Sequence, residues 1–178
     1  MGRRNYLITG VSGAGKTAVC IELQRRGYQA INGDDELAYQ GDPDTGLPAD
    51  GPRHEHSAAF ISAHHIWDVE KVKAYVANQE EAVTFFCGGS RNFSQFIAVF
   101  DGVFVLEVDL DTSLRRIAER VALDPTDWRG TLEERDVTVR MYHSKEALPQ
   151  NGAIIAATVP LTRVVDEILR QCDVQKPL

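Results

Sequence analysis

The octet Gly10-Val11-Ser12-Gly13-Ala14-Gly15-Lys16-Thr17 matches G-x-x-x-x-G-K-[ST] at every fixed position. It follows the strand-like run Tyr6-Leu7-Ile8-Thr9 and leads into a helical pattern from Lys16 to Arg26, ended by Gly27. That context narrows the fold more than any other feature of the chain. Glycines let a backbone curl around an anion with its N–H groups turned inward. The helix N-terminus adds its dipole and unpaired donors. In such a loop Lys16 is placed to neutralise the β- and γ-phosphates of a nucleoside triphosphate, and the Thr17 hydroxyl to ligate Mg2+.

Short apolar runs then alternate with helical patterns. Strands are expected at Tyr28 to Asn32, Ala82 to Cys87, Val103 to Val108 and Ile154 to Ala157. Helices are expected at Ile61 to Asn78, Thr112 to Ala122, Leu132 to Ala147 and Leu161 to Cys172. Strands separated by helices are the signature of βαβ units and a parallel sheet. The nearly continuous apolar runs agree, because parallel strands are covered on both faces. Gln40 to His56 differs, with three glycines and three prolines among acidic residues and no apolar period. A loop of that length in a compact domain usually carries function or moves.

The 178 residues suit one domain, here taken as 1–178. With 19 basic against 26 acidic residues the formal charge is −7, which argues against a nucleic-acid partner. Cys20, Cys87 and Cys172 lie far apart without C-x-x-C spacing, so neither a disulfide framework nor a zinc site is expected. The apolar stretch from Phe96 to Leu110 is cut by Asp101, Glu107 and Asp109, so no membrane span is expected. The start of the chain reads as neither a signal peptide nor a myristoylation site, and a cytoplasmic location follows as the expectation. The guanine-specifying tetrapeptide N-K-x-D does not occur, which weighs against a GTPase.

These residues resemble the small P-loop kinases typified by adenylate, shikimate and gluconate kinases. The resemblance implies a three-layer α/β/α sandwich around five parallel strands in the order 2-3-1-4-5. It also implies ATP and Mg2+ as ligands, with ligands gathered at the carboxyl ends of the strands. Asn32-Gly33-Asp34-Asp35 stands where shikimate kinases carry D-x-D, with Asn32 replacing the first aspartate. Asp34 thereby inherits the roles of acceptor-hydroxyl partner, candidate base and metal-shell carboxylate, with Asp35 beside it. Gly88 and Gly89 resemble the Gly-Gly turn of shikimate kinases. Arg91 resembles the arginine that holds the acceptor phosphate in nucleoside monophosphate kinases, although the aspartate and proline of that motif are missing. An acceptor-binding insertion is expected at about 33–80.

Arg116 and Arg120 lie four apart on one helical face, as in the R-x-x-x-R of adenylate kinases. The resemblance puts Arg116 on the adenine ring and Arg120 on the phosphates. It also implies a short lid at 121–130, with Arg129 catalytic and Arg140 on the substrate. Val159 and Pro160 resemble the adenine-contacting loop. The segment with His65, Trp67 and Asp68 is a candidate cap over the acceptor, with Trp67 either stacking on a ring or sitting in the core.

The expected activity is transfer of the γ-phosphate of MgATP to a small-molecule acceptor, a nucleotide or a hydroxylated acid. The alternatives are an ATPase or nucleotide sensor without an acceptor, and a sulfotransferase or antibiotic phosphotransferase on the same loop.

Overall fold

The computed structural model describes residues 3–126 and 131–173. Its main sheet has β1 (Arg4–Gly10) at the centre, flanked by β5 (Val83–Cys87) and β6 (Gly102–Glu107). The edges are β2 (Gln29–Asn32) and β7 (Ala153–Ala156), giving the order β2-β5-β1-β6-β7 with each pairing parallel. The five strands thus follow the expected order. Their numbering shifts because two further strands, β3 (Ala38–Gln40) and β4 (His65–Trp67), form a separate antiparallel pair.

Alternation along the strands feeds two cores. Tyr6, Ile8, Phe85, Phe104 and Leu106 face α1 (Lys16–Arg25) and α7 (Leu161–Gln171), meeting Val19, Leu23, Val165 and Ile168. Leu7, Ile31 and Phe86 face the other way, onto Trp67, Val72, Phe93 and Phe96. Leu7 and Ile8 are both fully buried, as a central parallel strand requires. The helices α1 and α7 are tied by Arg26, which pairs with Glu22 at 2.8 Å and Asp166 at 2.5 Å.

The helix expected from Ile61 to Asn78 is instead three elements: α3 (Ala58–Ala63), β4, and α4 (Val69–Ala77). The reason lies at Asp68, whose side chain accepts from the amides of Glu70 and Lys71 and so starts a new helix. Just before it, Ile66 and Trp67 are fully buried in a strand. The expected helix to Ala147 stops earlier. Here α6 (Leu132–Ser144) ends at Lys145, whose φ of 54° is left-handed. A short helical turn, α2 (Gly33–Glu36), and α5 (Leu110–Leu123) complete the helices. Among the described residues no helix is long and apolar enough to cross a membrane.

Trp67 settles as core, not as a stacking platform. Its ring lies parallel to Phe96 with centroids 5.7 Å apart and meets Phe93 edge-on. It also fills the space that side chains would need at Gly33 and Gly88, where a Cβ would come within 2.1 and 2.8 Å of Trp67 Cζ2. Trp67→Ala should lower the unfolding free energy by about 3–5 kcal/mol, measured by urea titration followed through far-UV circular dichroism. A loss under about 1 kcal/mol would mean the site closes over the hole.

Candidate active site

The glycine-rich loop joins β1 to α1 and needs two left-handed residues, Gly13 at φ 79° and Gly15 at φ 99°. Gly13 is also hemmed in, because a Cβ there would lie 2.6 Å from the Ser113 carbonyl oxygen of α5. The Ser113 hydroxyl donates to the Ser12 carbonyl at 2.6 Å, so the first turn of α5 buttresses the loop. Lys16 Nζ donates to the carbonyls of Gly10 at 2.9 Å and Val11 at 3.0 Å, which holds the ammonium over the loop.

Lys16 and Thr17 line a cavity of about 550 Å³ that also takes in Asp34, Asp35, Gly89 and Arg91. One space therefore gathers the loop and the residues expected on the acceptor side. Asn32 donates to Asp35 Oδ2 at 2.7 Å, fixing the second carboxylate of the turn. Gly88 does not line the cavity wall but shapes it. Its φ of 151° and missing Cβ make room for Asp34 Oδ1, which an added Cβ would approach to 2.8 Å.

Asp34 is held from two sides. Its Oδ1 accepts from His65 Nε2 at 3.0 Å and from the Gly89 amide at 3.2 Å. Burial pushes this carboxyl upward, but the His65 hydrogen bond, the Lys16 charge and the Gly89 amide outweigh it, and the net shift is downward. The group is therefore an ionised acceptor near neutral pH.

For Mg2+ the cavity offers hard oxygens, the Thr17 hydroxyl and the carboxylates of Asp34 and Asp35. Among the described residues no cluster of three or more His, Cys, Asp or Glu could hold a metal ion. Mg2+ commonly binds through one or two carboxylates and completes its shell with phosphates and water. Thr17 and Asp34, the expected ligands, both carry hard oxygen donors on the cavity wall.

Arg91 reaches the cavity from the segment after β5. Its Nε donates to the Ser62 carbonyl at 2.9 Å and its Nη2 pairs with Glu146 at 3.3 Å. Arg140 is not brought into the cavity; it is half-exposed and shares Glu146 at 3.5 Å. Arg116 is used as a bracket. Its Nη1 donates to the Gly13 and Ala14 carbonyls, both at 3.3 Å, and its Nη2 to Ala157 at 2.8 Å.

The same arginine lines a second hollow of about 410 Å³ with Ala14, Arg120, Val159 and Leu161. Arg116 and Val159, two of the residues expected near a nucleotide base, share this hollow. Pro160 is not on its wall but precedes the first turn of α7. Arg120 borders both hollows. The expected lid begins late, because α5 stays helical to Leu123, and Arg129 lies outside the described residues.

Sequence reasoning missed one wall of the cavity, formed by Glu134, Val137, Thr138 and Met141 of α6. Their spacing of three, four and seven residues is one stripe of a helix, a signal that was present. Arg53 and Ser62 were also missed, and nothing in their local sequence marks them.

Residues 7–139 match the family model described as an AAA domain. The chain belongs to the AAA domain family. No curated protein matches the chain. Among solved structures it is similar to shikimate kinase from Acinetobacter baumannii in complex with shikimate, with a TM-score of 0.64 and 15% identity. That match covers 96% of this chain and 93% of the other. A gluconokinase from Sinorhizobium meliloti 1021 aligns with a TM-score of 0.54 and 14% identity over 94% of this chain and 90% of its own. Deoxyadenosine kinase from M. mycoides aligns with a TM-score of 0.55 and 13% identity over 95% and 98%. This AAA-domain chain thus has the fold of P-loop small-molecule kinases.

Gly13→Ala should abolish detectable MgATP binding in calorimetry while the fold persists by circular dichroism, since it meets both a positive φ and a backbone clash. Unaltered binding would show that the loop is not the nucleotide site.

Proposed function

We propose that this chain is an ATP-dependent phosphotransferase that moves the γ-phosphate of MgATP to a small-molecule acceptor. The observation that carries this reading is a single cavity holding both the glycine-rich loop with Lys16 and the anchored carboxylate of Asp34. An enzyme that only hydrolysed ATP would need no anchored carboxylate and arginine facing the loop across the same cavity. The same cavity is also walled by Arg91, Ile61 and Met141, and its volume of about 550 Å³ is in the range of small-molecule sites. Solved structures of the same fold include enzymes named for shikimate, gluconate and deoxyadenosine, which supports a small acceptor with hydroxyl groups.

In this reading the triphosphate lies on the loop, with Lys16 released from the Gly10 and Val11 carbonyls to the phosphates. Arg120, at the border of the two hollows, aims positive charge at the transferring group. Mg2+, when bound, would be held by the Thr17 hydroxyl and would neutralise charge on the β- and γ-phosphates, which leaves the Asp34 carboxylate to the acceptor. Asp34 receives the acceptor hydroxyl and takes its proton. Arg91 holds an anionic part of the acceptor by exchanging Glu146 for it.

The test is transfer of γ-phosphate label from MgATP into a pool of hydroxylated acids, sugars, nucleosides and nucleotides. A labelled organic product is expected, absent with Lys16→Ala. Asp34→Asn should cut turnover by about a hundredfold or more while MgATP affinity holds. Label appearing only as free phosphate would overturn the phosphotransferase reading in favour of an ATPase.

Arg120→Ala should slow transfer by roughly 10²- to 10³-fold, as loss of one charge-aimed donor does. An unchanged single-turnover rate would remove Arg120 from the reaction.

A further inference from the structure

His65, expected only as part of a candidate cap over the acceptor, makes the shorter of the two hydrogen bonds to Asp34. It sits at the start of β4, opposite Gln40 of β3. Its backbone is immobilised on both sides. The His65 carbonyl accepts from the Arg91 amide at 2.9 Å, and the Trp67 amide donates to Asn92 Oδ1 at 3.0 Å. Asn92 Nδ2 returns a bond to the Trp67 carbonyl at 3.0 Å. Ile66 and Trp67 are fully buried, so this strand cannot shift without opening the core. The imidazole therefore stands on a rigid element and still lines the cavity.

The atoms fix what the ring does. Asp34 Oδ1 takes two donors, the Gly89 amide and His65 Nε2, which must then carry the hydrogen. Oδ2 has no hydrogen-bond partner among the described residues. A carboxylate held at one oxygen by donors from two different elements cannot rotate about its terminal bond without losing both.

We propose that His65 is a positioning residue that locks the Asp34 carboxylate through Oδ1, leaving Oδ2 as the oxygen presented to the acceptor hydroxyl. This rests on the phosphotransferase reading above. During transfer the acceptor oxygen bonds to the γ-phosphorus as the bond from phosphorus to the β,γ-bridging oxygen breaks. ADP leaves with that electron pair, and the hydroxyl proton goes to Asp34 Oδ2. His65 neither gains nor loses a proton; it holds the direction of the receiving oxygen.

The test compares His65→Gln with His65→Asn in γ-label transfer from MgATP to the same metabolite pool. Both are polar amides of tolerable size, but only glutamine can carry an N–H out to the position of Nε2. His65→Gln should keep turnover within a few fold of the parent. His65→Asn should lose about ten- to a hundredfold in kcat, with the KM for MgATP unchanged. Thermal melts of both variants exclude unfolding as the cause. Equal rates for the two variants, or an effect on the KM for MgATP in place of kcat, would overturn the assignment. If the parent itself labels no organic product, the phosphotransferase reading fails and takes this assignment with it. A parent that transfers while Gln and Asn behave alike sinks the His65 role only.

Discussion

A carboxylate can be half-buried beside a phosphate site only if its charge is answered from fixed directions. In this protein the answer depends on Trp67. Its indole occupies the volume between Gly33 and Gly88, the two residues that flank Asp34 in space. The backbone on either side of that indole is stitched to Ser90, Arg91 and Asn92. The turn that carries Asp34, the turn that carries Gly89 and the strand that carries His65 are thus three layers around one ring. Neither glycine tolerates a side chain, and the tryptophan cannot leave without collapsing the spacing. The site is precise because a core residue is its foundation.

Much of this was legible in the sequence. The octet from Gly10 to Thr17 fixes its own environment, since its glycines have meaning only between a strand and a helix. Parallel strands announce themselves as apolar runs, and all five were found near their observed bounds. Legibility failed between residues 58 and 77, where a helical apolar period concealed a strand. Ile66 and Trp67 fit a helix face as well as a strand, and periodicity alone cannot separate the two over three residues. The aspartate cap at Asp68 was the available clue. His65 was invisible as a partner of Asp34 because their proximity depends on that short strand, thirty-one residues away along the chain.

Arginines show a similar boundary. Their positions and spacing can be read from the chain, but their partners cannot. Arg116 and Arg91 both reach the expected region, yet each is already engaged with carbonyl oxygens of the protein itself. Arg140 turns away to Glu146, which also meets Arg91. A guanidinium has five donors, and which acceptors take them is decided by tertiary packing.

The bracket made by Arg116 has a further consequence. One planar group spans carbonyls of the glycine-rich loop and the carbonyl of Ala157, which leads into the connection carrying Val159. The glycine-rich loop and the wall of the second hollow are therefore joined by a single stiff strut. A displacement on the Val159 side is transmitted to the glycine-rich loop within one side chain's length. The shape of the loop is thus coupled mechanically, through one side chain, to whatever touches the wall of the second hollow.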